Sequence, residues 1–159
     1  MNTSPVVILT TTAAIASAAA AGMMYAFSTF VMRGLDRTGP VTAVTAMRGI
    51  NAEANANAPF LLAYLGAAVL AIAVGIVALL GIRNPGSVWL LAGAVFGVLG
   101  AVITMAFNVP LNNHLDTIDL ADAATQWQAY LSTWTAWNHV RTVTSVVAAA
   151  LMLIGVRYR

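Results

Sequence analysis

Four long apolar runs alternate with short polar stretches along this chain. They lie near Val6 to Met32, Pro59 to Ile82, Val88 to Phe107 and Ala136 to Val156. A hydrocarbon layer of roughly 30 Å is crossed by about 20 apolar residues of helix, so each run predicts one span. Arg83-Asn84-Pro85-Gly86 punctuates the second and third runs and predicts a tight turn. The pattern therefore predicts an all-α integral membrane protein, an up-and-down bundle of four transmembrane helices forming a single domain over residues 1–159. Within the first run, Ala16-Ser17-Ala18 resembles a leader cleavage site. No Lys or Arg precedes the run, however, and it continues well past that point, so a first spanning helix is expected.

Two connections are longer than turns. The first, RGLDRTGPVTAVTAMRGINAEANANAP, offers Pro40 as a first helical residue and then reads as helix through about Asn55. Arg48, Asn51 and Asn55 fall at i, i+3 and i+7, giving an amphipathic helix one polar face, while Val41, Val44 and Met47 supply an apolar one. The second connection is expected from Asn108 to Thr135 and opens with NVPLNNHLD. Pro110 cannot donate a backbone hydrogen bond, so the third helix is expected to end or kink near Asn108. Asn108, Asn112 and Asn113 can then satisfy the backbone groups so freed. Trp127, Tyr130 and Trp134 suit an interfacial aromatic belt.

Composition strengthens the membrane reading: 60% of the 159 residues are hydrophobic, 8% are charged, and the mean hydropathy is +0.85. Soluble domains carry roughly 25% charged residues. With seven Arg and five acidic side chains, only a lipid bilayer can cover a chain of this size. The net charge of +2 comes from Arg alone, which excludes nucleic acid as an expected partner. The lack of Cys excludes disulfides, thiol catalysis and thiolate metal sites. Small residues at Ala18 to Gly22 and at Gly93, Gly97 and Gly100 allow close helix packing, either inside the bundle or in a homo-oligomer.

The fourth run enters as WTAWNHVRTVTS. Trp134, Asn138, Arg141 and Ser145 occupy i, i+4, i+7 and i+11, one stripe of a helix, with Trp137 on its flank. An Arg in the first turns of a span either snorkels to the interface or meets a partner, and intramembrane ionisable groups mark functional sites. In an up-and-down bundle the first and third connections emerge on one side. Arg48, Asn51, Glu53, Asn108, Asn112, His114, Asn138, His139 and Arg141 then converge at one end. Such a pocket, apolar with a few amides and one cation, suits a small, flat, lipophilic ligand.

The same residues resemble the anthrone oxygenase-like family of small membrane proteins. The resemblance covers nearly the whole chain and rests on FSTFVM at 27–32, MRGIN at 47–51, NVPLN at 108–112 and WNHVRT at 137–142. The family pattern includes Asn51, Asn108, Pro110, Leu111, Asn112, Trp137, Asn138 and Arg141, and has Gln where this chain has Arg48. It nominates neither His114 nor His139. What the resemblance implies is oxidation of an anthrone to an anthraquinone by molecular oxygen, without metal or flavin.

That chemistry needs a proton acceptor and an oxyanion site that excludes water. Arg141, Asn138 and Asn112 are candidates for the oxyanion, with Asn51, Asn108, Trp134 and Trp137 binding a flat aromatic substrate. His114, His139 and Glu53 are the candidate bases. The spacing of the two His and one Glu matches no local ligand motif for an oxygen-activating iron, so no cofactor is expected. The rival reading is a non-catalytic membrane protein that binds a lipid or quinone, or serves as an accessory subunit. Arg counts at the two ends nearly tie; the acidic second connection tips the expectation towards a multi-pass cell-membrane protein with both termini cytoplasmic.

Overall fold

A computed structural model describes residues 4–159, and all regular structure in them is helical. Helix α1 runs Pro5–Asp36, α2 Pro40–Ala56, α3 Ala58–Leu80 and α4 Ser87–Thr117. A single 3-10 turn, Leu120–Asp122, then leads into α5, Ala123–Val156. Four of these helices, all but α2, are long and apolar enough to cross a membrane. Large apolar side chains stand exposed along them, including Leu62, Leu80, Val69, Phe30 and Ile15, which is compatible with a multi-pass membrane protein.

The helix boundaries follow from local chemistry. Gly39 takes φ +88°, and Pro40 opens α2 as expected. Asn57 caps α3, its Oδ1 accepting the Phe60 N–H at 2.9 Å. The expected turn before α4 is present and ends at Gly86, φ +80°. A Cβ there would collide with the Gly155 carbonyl oxygen, so the turn presses directly onto the end of α5. Asp119 caps the 3-10 turn through the Ala121 N–H at 2.9 Å.

The second connection is the main departure from the expected layout. Helix continues on both sides of it, through Thr117 and again from Ala123, so the link is only residues 118–122 and the last helix starts well before Ala136. Pro110 does not end α4. A π-turn, Thr104–Asn108, precedes it, and the Val109 N–H reaches back to the Thr104 carbonyl. The extra residue in that wide turn absorbs the missing donor and makes room for the ring. A matching π-turn, Phe27–Val31, interrupts α1.

Helix α5 packs against both α1 and α4, and α3 closes the far side against the same two. One apolar core, with Ala13, Ala71, Val74, Ala78, Leu90 and Met152, gathers at the end holding the described termini. Gly93 and Gly97 are used inside the chain: a Cβ on Gly93 would meet Met152, and one on Gly97 would meet Ala71. The second core lies at the other end, where α2 packs on α5 through Val44, Met47, Trp127, Tyr130 and Trp134. Val44 and Met47 thus face inward, while Val41 is exposed. Trp127, Tyr130 and Trp134 are likewise interior rather than a belt at the interface.

Candidate functional site

Between the two cores lies a buried polar cluster centred on Arg141, which is only 6% exposed. Its Nε donates to Asn138 Oδ1 at 2.8 Å and its NH1 to Thr104 Oγ1 at 3.3 Å. The guanidinium carbon stands 5.0 Å from the centroid of the Trp134 ring. Tyr64 of α3 hydrogen-bonds to the same Thr104 hydroxyl. Every one of these partners is neutral, so the cation is held without a carboxylate against it.

Asn138 anchors the cluster to α1. Its Nδ2 donates to the Met24 carbonyl at 2.7 Å and to Ser28 Oγ at 2.6 Å. Both π-turns contribute: Ser28 comes from one and Thr104 from the other. In a π-turn the chain is one residue longer than regular helix would be, which turns side chains that α-helical spacing would direct elsewhere.

Above Arg141 an amide and aromatic layer leads to α2. Asn112 Oδ1 accepts from Tyr130 Oη at 2.9 Å and from Trp134 Nε1 at 2.8 Å. Asn108 is buried, donating from Nδ2 to the Trp134 carbonyl at 3.3 Å while its Oδ1 has no partner. The buried Nδ2 of Asn51 also makes no hydrogen bond of normal geometry. Among the described residues Thr10 and Thr135 also have buried hydroxyls without a partner, but these two amide atoms are the ones beside the cluster, where a polar ligand could pair with them. Arg48 tethers α2 over this layer, its Nε and NH2 donating to the Leu115 carbonyl at 3.0 and 2.8 Å and its NH2 to the Ile118 carbonyl at 2.5 Å.

The structure thus brings together Arg141, Asn138, Asn112, Asn108, Asn51 and Trp134. It leaves Trp137 outside, half-buried and stacked on Phe107 with ring centroids 3.6 Å apart. His114, His139 and Glu53 are exposed, and none is hydrogen-bonded to the cluster. Asn55, expected on the polar face of α2, is exposed as well. Among the described residues no three His, Asp or Glu side chains gather as a metal site. Sequence reasoning missed Ser28, Tyr64 and Thr104, whose hydroxyls sit inside apolar runs, Tyr64 and Thr104 singly and Ser28 beside Thr29. A small cavity of about 10 Å³ lies beside Tyr64, lined also by Ser17, Gly97, Gly100 and Ser145.

Residues 60–151, which carry Tyr64, Thr104, Asn108, Asn112, Trp134, Asn138 and Arg141, match the family described as anthrone oxygenase. The chain belongs to the anthrone oxygenase family. FSTFVM and MRGIN lie outside the matched residues, so Ser28 joins the cluster through its hydrogen bond with Asn138 and Asn51 through its burial alone. No curated protein and no solved structure matches the chain significantly.

Proposed function

We propose that this family member is a cofactor-independent oxygenase that oxidises an anthrone-like polycyclic aromatic, or a similar lipophilic phenol, with molecular oxygen. The observation that carries the reading is the buried Arg141, held by neutral side chains only. A cation in an apolar interior without a counter-ion is costly; an anionic ligand relieves that cost. An anthrone supplies such an anion, because loss of a proton from its central methylene places negative charge on the ketone oxygen. The resulting electron-rich enolate reacts with oxygen directly.

In this reading Arg141 binds the oxyanion and Asn138 fixes the guanidinium orientation, so that no reorganisation is needed as charge develops. The free Asn108 Oδ1 and Asn51 Nδ2 offer an acceptor and a donor to hydroxyl or carbonyl groups on the substrate edge. Trp134 supplies a flat wall. A three-ring substrate needs far more room than the present cavity, so entry has to part α2 from the ends of α4 and α5. The exposed His114, His139 and Glu53 are poorly situated to take the methylene proton, and water admitted by that opening is the simpler acceptor.

The membrane frame belongs to the same reading: a multi-pass protein of the cell membrane, its four spans arranged up and down, with both termini cytoplasmic. A homo-oligomer would use the open groove of about 250 Å³ lined by Ala18, Ala21, Gly22, Tyr25, Val146 and Ala149. A second reading, a non-catalytic lipid or quinone binder or an accessory subunit, draws support from the small size of the cavity that Tyr64 lines, about 10 Å³. Oxygen uptake with an anthrone separates the two. Detergent-purified wild type is expected to exceed a protein-free blank, with Arg141→Ala losing about 100-fold or more of that acceleration. Equal rates for wild type, variant and blank would favour the non-catalytic reading.

A further inference from the structure

The oxygenase reading leaves the later proton transfers without a named group, because the imidazoles and the Glu53 carboxylate lie outside the cluster. A group for them is present. Thr104 Oγ1 directs its own hydrogen to the Gly100 carbonyl at 3.0 Å and accepts from Arg141 NH1 at 3.3 Å. In its contact with Tyr64 it is therefore an acceptor again, and the phenol donates. The Tyr64 O–H consequently points into the cluster, and the Tyr64 side chain lines the small cavity.

Other protons nearby are less suited. Ser28 and Thr142 are aliphatic hydroxyls, far weaker acids than a phenol, and they are bonded to each other and to Asn138. Tyr130, the other phenol, donates to Asn112 and is sealed between Trp127 and Trp134. Tyr64 is half-buried, reached from the cavity, and joined to the guanidinium through one hydroxyl.

We propose that Tyr64 is the proton-transfer residue of this site. The proposal rests on the oxygenase reading. The substrate carbanion adds oxygen, forming a C–O bond and a peroxide anion, which takes the Tyr64 proton to become a hydroperoxide. The phenolate so formed lies near the Arg141 cation. It then removes the remaining hydrogen from the same carbon; the electron pair of that C–H bond forms the ketone, the O–O bond breaks, and hydroxide leaves. Tyr64 is restored. Hydroxide combines with the proton lost in the initial deprotonation, so one methylene and one oxygen molecule become one ketone and one water. Carbon is oxidised and oxygen reduced, with no other reactant.

The test compares wild type, Tyr64→Phe and Tyr64→His in detergent. Oxygen uptake and product formation are followed separately, and quenched samples are titrated for organic hydroperoxide. Tyr64→Phe is expected to lower kcat for product about 100-fold with little change in KM, while hydroperoxide accumulates. Tyr64→His, which keeps a proton-transfer group, is expected to recover part of that loss without accumulation. Active wild type with an unchanged Tyr64→Phe kcat would overturn the Tyr64 assignment and leave the oxygenase reading standing. A rise in KM alone would likewise overturn it, marking Tyr64 as a binding group. Wild type no faster than the blank would remove the oxygenase reading itself. Should Tyr64→Phe fail to fold, Tyr64→His carries the test: folded protein that accumulates hydroperoxide at a rate of product formation as low as that of Arg141→Ala refutes the proposal.

Discussion

The Asn138 carboxamide accepts from Arg141 and donates twice to α1, and no part of the residue reaches the surface. Removing it would leave a buried cation short of a partner and would take one hydrogen bond each from the Met24 carbonyl and the Ser28 hydroxyl, which keep the Phe27 N–H and Thr142 as partners. Asn138→Ala should therefore destabilise the protein by about 1–3 kcal/mol, the cost of leaving a buried donor without its partner. Thermal unfolding in detergent, read beside Asn113→Ala at an exposed site, provides the check; similar midpoints would contradict it. At this scale the sequence was partly legible. Trp134, Asn138, Arg141 and Ser145 share a stripe by helical period, and all four are buried as that period implies. Tyr64, Ser28 and Thr104 were not legible, because one hydroxyl in an apolar run does not show which distant residue it meets.

Among the elements, α2 departs most from a passive surface helix. Its apolar side closes over Trp127, Tyr130 and Trp134, and Arg48 ties it to carbonyls at the end of α4. Carbonyls at a helix end lack intrahelical partners and carry partial negative charge, which suits a guanidinium. Arg48→Ala should loosen this contact by about 1.5–3 kcal/mol, the range for hydrogen bonds to charged groups. The expected sign is faster backbone hydrogen exchange in Pro40–Ala56 with little change in α3; unaltered exchange in α2 would show that apolar packing alone holds it. The existence of α2 and its proline start were readable from sequence. The continuation of α4 past Pro110 was not, because the compensating π-turn arises from backbone spacing that no residue in TMAFN announces.

Across the whole molecule, the turn before α4 presses on the end of α5, and Ala13 near the start of α1 shares a core with Met152 near the end of α5. The start of α1 and the end of α5 are thus at one end and α2 is at the other. In membranes, tags fused to either terminus should show the same protease accessibility in intact cells, and a cysteine introduced at exposed Thr42 should show the opposite. Different sidedness for the two termini would contradict the bundle. The four long apolar helices were legible from the spacing of the polar stretches alone; the narrowness of the cavity that Tyr64 lines was not, since it depends on how small residues from α1, α3, α4 and α5 mesh.

The paired π-turns also couple residue count to the buried cluster. A regular helix advances about 100° per residue, and a wide turn spreads nearly the same rotation over one residue more. Deleting one amino acid from Phe27–Val31 or Thr104–Asn108 would therefore restore regular winding while the segments beyond keep nearly their present orientation. Met32 and Leu115 would stay on the core they share with α2. What would be lost is local: Ser28 or Thr104 would turn away from Asn138 and Arg141.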